Sequence, residues 1–128
     1  MRILYASLFC LFTQFCIAQT AESGIASYYG DHLHGNLTAS GEKYDKFKFT
    51  AAHKTLPFGT VVRVTRQDDN RSVIVKINDR GPFKEGRIVD LSRAAANRIG
   101  LDVEGLVAVR MDVIDPAKAV FSDNKSSN

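Results

Sequence analysis

Beyond residue 18 this chain contains no cysteine, because Cys10 and Cys16 both fall in the opening segment. The remainder therefore has no disulfide to staple it and no thiol to do chemistry. It also lacks any long hydrophobic run after that segment, so nothing downstream reads as a membrane span. A block of like charge is missing too. Lys and Arg number 17 against 14 Asp and Glu, a net charge of +3 that drops to +2 once Arg2 is removed. The basic residues are interleaved with acids, which argues against a nucleic-acid partner. There is no internal repeat and no sign of a second domain.

What is present begins with a leader. Arg2 gives a short positive start, Ile3 to Ile17 is mostly apolar, and Cys16 and Ala18 put small residues at −3 and −1 of a cleavage site. That is the layout of a secretory signal peptide over residues 1–18, cut before Gln19. Export to the periplasm or cell envelope is expected, with no integral membrane segment after cleavage. Phe9 and Phe15 precede the two cysteines, where a lipoprotein signal needs a small residue, so a lipid anchor is not expected. Residues 19–115 then suffice for one domain with one core, expected to be a monomer. Residues 116–128, ending Ser-Asp-Asn-Lys-Ser-Ser-Asn, read as a disordered polar tail.

Within the domain, short strand-like runs alternate with turn-rich loops. Ile25 to Tyr29, Phe47 to Ala51, Thr60 to Thr65, Ser72 to Asn78, Ile88–Val89 and Leu106 to Ile114 read as extended. In the last of these, Val107, Val109, Met111 and Val113 share a face. Ser92 is placed to cap a helix over Arg93 to Ile99, with Gly100 as its left-handed terminator. About six strands and one short helix predict a mostly β domain, a small closed barrel without exposed edges. Phe47, Phe49, Phe58 and Phe83 are assigned to core or turn packing.

The richest stretch is Val73 to Phe83. A β-branched run, Val-Ile-Val-Lys-Ile, stops at Asn78-Asp79-Arg80-Gly81-Pro82, so an acid stands at the mouth of a rigid strand. With Gly24-Ile-Ala-Ser-Tyr-Tyr-Gly30, Thr38-Ala-Ser-Gly-Glu42, Thr50-Ala-Ala-His-Lys-Thr-Leu-Pro-Phe-Gly-Thr60 and Gly86-Arg-Ile-Val-Asp-Leu-Ser92, it closely resembles the RlpA (rare lipoprotein A) family. The likeness covers Gly24 to about Ile114. It implies a six-stranded double-psi β-barrel and an envelope lytic transglycosylase acting on peptidoglycan glycan strands, with strands free of stem peptides preferred. Many relatives carry Trp where this chain has Tyr28, and some carry a C-terminal glycan-binding domain that is not expected here.

By that resemblance Asp79, Glu42 and His53 carry over to the active site. Breaking a β-1,4 glycosidic bond needs a proton on the leaving oxygen and stabilisation of an oxocarbenium-like charge. In a transglycosylase the muramoyl 6-hydroxyl replaces water, so one carboxyl group can act first as acid and then as base. Asp79 is the expected double agent, Glu42 the stabiliser across the groove, and His53 an orienting group. Arg80 is expected to turn away from Asp79 toward Asp90 or Glu85. Tyr28, Tyr29, Lys54 and Arg87 are the expected substrate contacts. One tyrosine should face the sugar and the other the core, since neighbours on a strand point oppositely. His32 and His34 form a His-x-His pair, but no third ligand has convincing spacing, so no metal and no cofactor is expected. Two other readings remain open on sequence: an expansin-like module that grips glycan without cutting it, and a true hydrolase in which a second carboxylate activates water.

Overall fold

The computed structural model describes residues 21–114; the expected leader at 1–18 and tail at 116–128 lie outside the described residues. Six strands, β1 (Glu22–Tyr28), β2 (Thr50–Ala52), β3 (Val61–Arg66), β4 (Ser72–Asp79), β5 (Arg87–Leu91) and β6 (Val107–Val113), close a barrel in the order β1-β5-β2-β4-β3-β6. Two pairs are parallel, β1 with β5 and β2 with β4, and the remaining contacts are antiparallel. The mostly β barrel expected from the sequence is thus the observed fold.

Alternation builds the interior. Val62 and Val64 from β3, Val73, Val75 and Ile77 from β4, and Val107, Val109 and Met111 from β6 all turn into one core with Val89 and Leu91. Each such side chain, fully removed from water, contributes about 1.5–3 kcal/mol. Helix α1 (Arg93–Arg98) buries Ala95 and Ala96 against this core. Ser92 caps it as expected: its Oγ accepts the Ala95 N–H at 3.3 Å and donates to the Lys48 carbonyl at 2.6 Å. One residue thereby ties the helix to the approach of β2.

Three details differ from the sequence reading. Gly100, at φ +69°, ends α1 as expected, but a second short helix, α2 (Leu101–Glu104), follows at once because Leu101 drops into the core. The alternating Phe47–Ala51 run is a strand only from Thr50. Asp45 claims the two amides ahead of it, its carboxylate taking Phe47 N–H and its carbonyl Lys48 N–H, which makes a turn. None of the four phenylalanines joins the core; Phe83 is 86% exposed and Phe47 73%. Three of them pack at the surface instead: Phe58 lies 4.1 Å beneath the Arg80 guanidinium, Phe47 meets the His34 ring edge-on in its turn, and Phe49 lies under Arg98.

Candidate active site

Strand register assembles the site. Asp79 at the end of β4 pairs with Ala52, Ala52 pairs with Asp90 of β5, and Asp90 pairs with Ser27 of β1. Directly paired residues share a face, so one row across four strands presents an acid, a methyl group, an acid and a hydroxyl. Two strand spacings separate the aspartates' backbones, about 10 Å. A cavity of about 330 Å³ opens there, bordered by Tyr29, Leu37, Thr38, Tyr44, Asp79 and Asp90 among others.

The Asp79 carboxylate is held by neutral donors. Oδ1 accepts the backbone N–H groups of Ala39 and of Arg80, both at 2.8 Å. Oδ2 accepts the Tyr29 hydroxyl. Asp79 is not sealed in apolar packing, and among the described residues it has no ion-pair partner. Burial first, and then the hydrogen bond to Asp79, push the Tyr29 phenol well above its ordinary range, so it remains a hydroxyl at any physiological pH. Its ring leans on that of Tyr44 at 4.5 Å between centroids. Tyr44 is 2% exposed, and its oxygen accepts the Arg93 N–H at 3.0 Å. Tyr28 also borders the cavity, but its hydroxyl points to the Asp102 carbonyl at 3.3 Å and its ring lies under Arg93. The tyrosine that meets the acid is Tyr29.

Arg80 turns its guanidinium away from Asp79, though not to Asp90 or Glu85. It donates to the carbonyls of Leu56 at 2.8 Å and His53 at 3.3 Å. The physical reason is that the turn after β2 points its carbonyls toward β4, while Asp90 is already engaged by Ser27 and Arg87.

Glu42 sits next door. The loop from Leu37 to Lys43 folds back on itself through a single bridge, and its amide at Ala39 reaches Asp79 while its return presents Glu42. The Glu42 carboxylate faces a neighbouring trough of about 610 Å³ that also has Lys43, Lys48, Phe49, Lys76 and Asn78 on its walls. Lys76 lies 3.5 Å from Oε1, and Asn78 donates to Oε2 at 3.4 Å. Among the described carboxylates, Asp90 is the one that shares the Asp79 cavity.

His53 is 4% exposed and both ring nitrogens are engaged elsewhere. Nδ1 accepts the N–H groups of Thr55 at 3.1 Å and Leu56 at 3.0 Å, which leaves Nε2 to donate to Glu22 at 2.8 Å. The imidazole makes no hydrogen bond to Asp79 or Glu42; the link to Asp79 runs through the backbone, His53 N–H to the Asp79 carbonyl at 3.2 Å. Lys54 is exposed in the following turn and borders neither trough. Arg87 is half-buried, donating to Ser27 Oγ and Asp90 Oδ1, so it supports the wall from behind. His34 accepts the Lys46 N–H at 3.1 Å and rests edge-on against Tyr44 and Phe47. Among the described residues, no three His, Cys, Asp or Glu side chains gather as metal ligands would.

Comparison with known proteins places the barrel in a family. The family model for lytic transglycolases matches residues 21–111, nearly the whole described barrel. This chain belongs to the RlpA family of lytic transglycolases. It is 51% identical over 107 residues to the Endolytic peptidoglycan transglycosylase RlpA of Vibrio cholerae, a match covering 84% of this chain and 41% of that protein. The chain thus spans less than half the length of the first curated relatives it matches. Two solved structures share the fold. A Streptomyces papain inhibitor superposes with a TM-score of 0.61 at 23% identity, covering 75% of this chain and 96% of that one. An expansin from Clavibacter michiganensis gives 0.59 at 21% identity, covering 76% and 52%.

Sequence reasoning about this RlpA-family barrel missed three contributors. The Ala39 amide is invisible to it, since a backbone donor has no residue type. Tyr44 sits in a polar loop whose path only the fold reveals. Asp90 was more legible: an acid inside Ile-Val-Asp-Leu breaks an otherwise apolar strand, a sign that something polar is being presented.

Proposed function

We propose that this barrel cleaves peptidoglycan glycan strands endolytically as a lytic transglycosylase, with Asp79 as its single acid and base. The observation that carries the reading is the Asp79 carboxyl, positioned by three neutral donors at the edge of an open trough inside a lytic transglycolase barrel. In the first half of the reaction the Asp79 proton passes to the oxygen bridging MurNAc and GlcNAc. The bond from that oxygen to the muramoyl C1 breaks, leaving a 4-hydroxyl on GlcNAc and an oxocarbenium-like sugar. In the second half the muramoyl 6-hydroxyl attacks C1 and returns its proton to Asp79, closing a 1,6-anhydro ring. The carboxyl ends as it began. Asp90 lies across the trough, where negative charge opposes the cationic sugar.

The adjoining trough supports a preference for strands without stem peptides. Removing a stem peptide leaves a lactyl carboxylate on each MurNAc, and Lys43, Lys48 and Lys76 line that trough. Glu42 among them is suited to accept a sugar hydroxyl while it balances Lys76. Such a substrate lies outside the cytoplasmic membrane, in keeping with the leader expected at residues 1–18.

Digestion of purified, peptide-free glycan followed by mass analysis tests this. Anhydro-muramoyl ends are expected. Reducing ends would make the protein a hydrolase, and intact strands retained by the protein would make it an expansin-like binder; either result overturns the transglycosylase reading.

A further inference from the structure

The two oxygens of Asp79 have unlike surroundings. Oδ1 meets two amide N–H groups, from Ala39 and Arg80, which can only donate, so a proton placed there would face two others. Oδ2 meets only the Tyr29 hydroxyl, which occupies one lone pair and leaves the other free. We infer that Tyr29 is the positioning residue that confines the transferable proton of Asp79 to Oδ2 and stabilises the carboxylate left when that proton departs. This role rests on the reading of Asp79 as the acid and extends it to a residue that the sequence marked only as a sugar contact.

The step balances without another reactant. The proton leaves Oδ2 for the bridging oxygen, and the electron pair that held it stays on Oδ2, where Tyr29 donates into it. When the muramoyl 6-hydroxyl closes on C1, its proton returns to the same oxygen. Tyr29 itself never ionises, because burial and the neighbouring Asp79, Asp90 and Tyr44 all favour the neutral phenol. Its direction is set in advance. The ring is braced by buried Tyr44, and the backbone N–H is tied to the Leu91 carbonyl at 2.9 Å. A hydrogen bond already in place when charge forms on the acid requires no reorganisation at that moment.

The charged and titratable groups around this oxygen are few. Asp90 approaches from β5, paired with Arg87. Tyr44 comes from the long loop, and Arg80 directs its guanidinium to the His53 and Leu56 carbonyls. Glu42 and Lys76 face each other in the adjoining trough. None of these donates to Oδ2, so removing the Tyr29 hydroxyl removes its only donor among the described residues.

The test is Tyr29→Phe in the full chain, assayed on peptide-free glycan from about pH 4 to 9 beside Asp79→Asn. For Tyr29→Phe, kcat is expected to fall about 10- to 100-fold with KM changed less than about threefold. The alkaline limb of the kcat profile should move up by about one pH unit, since a carboxylate that has lost a donor holds its proton longer. A raised KM with an unmoved limb would make Tyr29 a sugar contact only. A lowered melting point with unchanged turnover per folded molecule would make it structural; both results overturn the inference. If Asp79→Asn stays active, the acid assignment itself fails. If Asp79→Asn is dead but Tyr29→Phe is normal, only the role of Tyr29 fails. A readout without turnover uses the unmutated protein, whose Tyr29 hydroxyl proton should resonate downfield of a free phenol by NMR and lose that shift in Asp79→Asn. An ordinary phenol position would sink the inference even if Tyr29→Phe did not fold.

Discussion

The two ends of β4 handle charge in opposite ways. At its start, across the hairpin, Arg66 is 1% exposed and answered by two counter-charges, Asp68 at 2.6 Å and Glu104 at 2.8 Å, while it donates to the Ile99 carbonyl at 2.9 Å. Those carboxylates hold the guanidinium in its charged form, and Arg66 in turn holds the Asp68 carboxyl down at about 2. At the other end Asp79 meets two amides and a phenol, with no cation of the described residues on its oxygens and an open trough beside it. A charge closed off by opposite charges is fixed in one protonation state and can only brace the fold. A carboxyl held by neutral donors beside an open trough is oriented while one of its oxygens keeps a lone pair for a substrate. The Arg66 cluster ties α2 to the β3–β4 hairpin; the Asp79 cluster is where chemistry can occur.

That contrast breaks first at Asp79. Asp79→Asn should cut anhydro-product formation by about a thousandfold or more while the melting temperature stays within a few degrees. A variant that kept its turnover would make the two ends equivalent. Arg66→Ala should do the reverse. Removing a buried cation along with its apolar stem is expected to lower the melting temperature by roughly 10 °C or more, with kcat of the folded fraction unchanged. Glu42→Gln sharpens the boundary between the two troughs. We expect kcat/KM to fall about tenfold, far less than for Asp79→Asn, because Glu42 lies beyond the Asp79 cavity. Ser92→Ala loses the helix cap and the link to Lys48 and should cost about 1–2 kcal/mol in urea unfolding, with activity intact.

The smallest effect is on pH. Asp68 titrates lower in the folded chain than its ordinary 3.8, so its pairing with Arg66 is fully present above about pH 4 and is lost as pH falls toward 2. Acid unfolding of the parent should therefore be steeper over that window than that of Asp68→Asn. Equal slopes would remove the pairing from the account of stability.

Most of the barrel was legible because burial writes itself as alternation: Val107, Val109 and Met111, or Val73, Val75 and Ile77, leave little choice of face. The helix was legible for a different reason, since Ser92 and Gly100 are the residue types that its two ends require. Where local competition decided, pattern misled. Asp45 turned Phe47 and Lys48 out of a strand that their spacing suggested. Of the candidate site, Asp79 could be found from its place after a β-branched run, and Glu42 lies one trough away from it. The imidazole of His53 is occupied on one side by the amides of Thr55 and Leu56 in its own turn and on the other by Glu22, a partner distant in sequence that no motif could announce.

The sequence by itself determined most of the strands, the capped helix, the family and the strand-end acid, because these depend on residue type and near-neighbour spacing. Only the tertiary structure decided that Tyr29 rather than Tyr28 meets that acid, that Asp90 shares its trough, and that Arg80 points to backbone carbonyls. Those outcomes depend on the register of strands far apart in the chain, which is set by closing the barrel and not by any local preference.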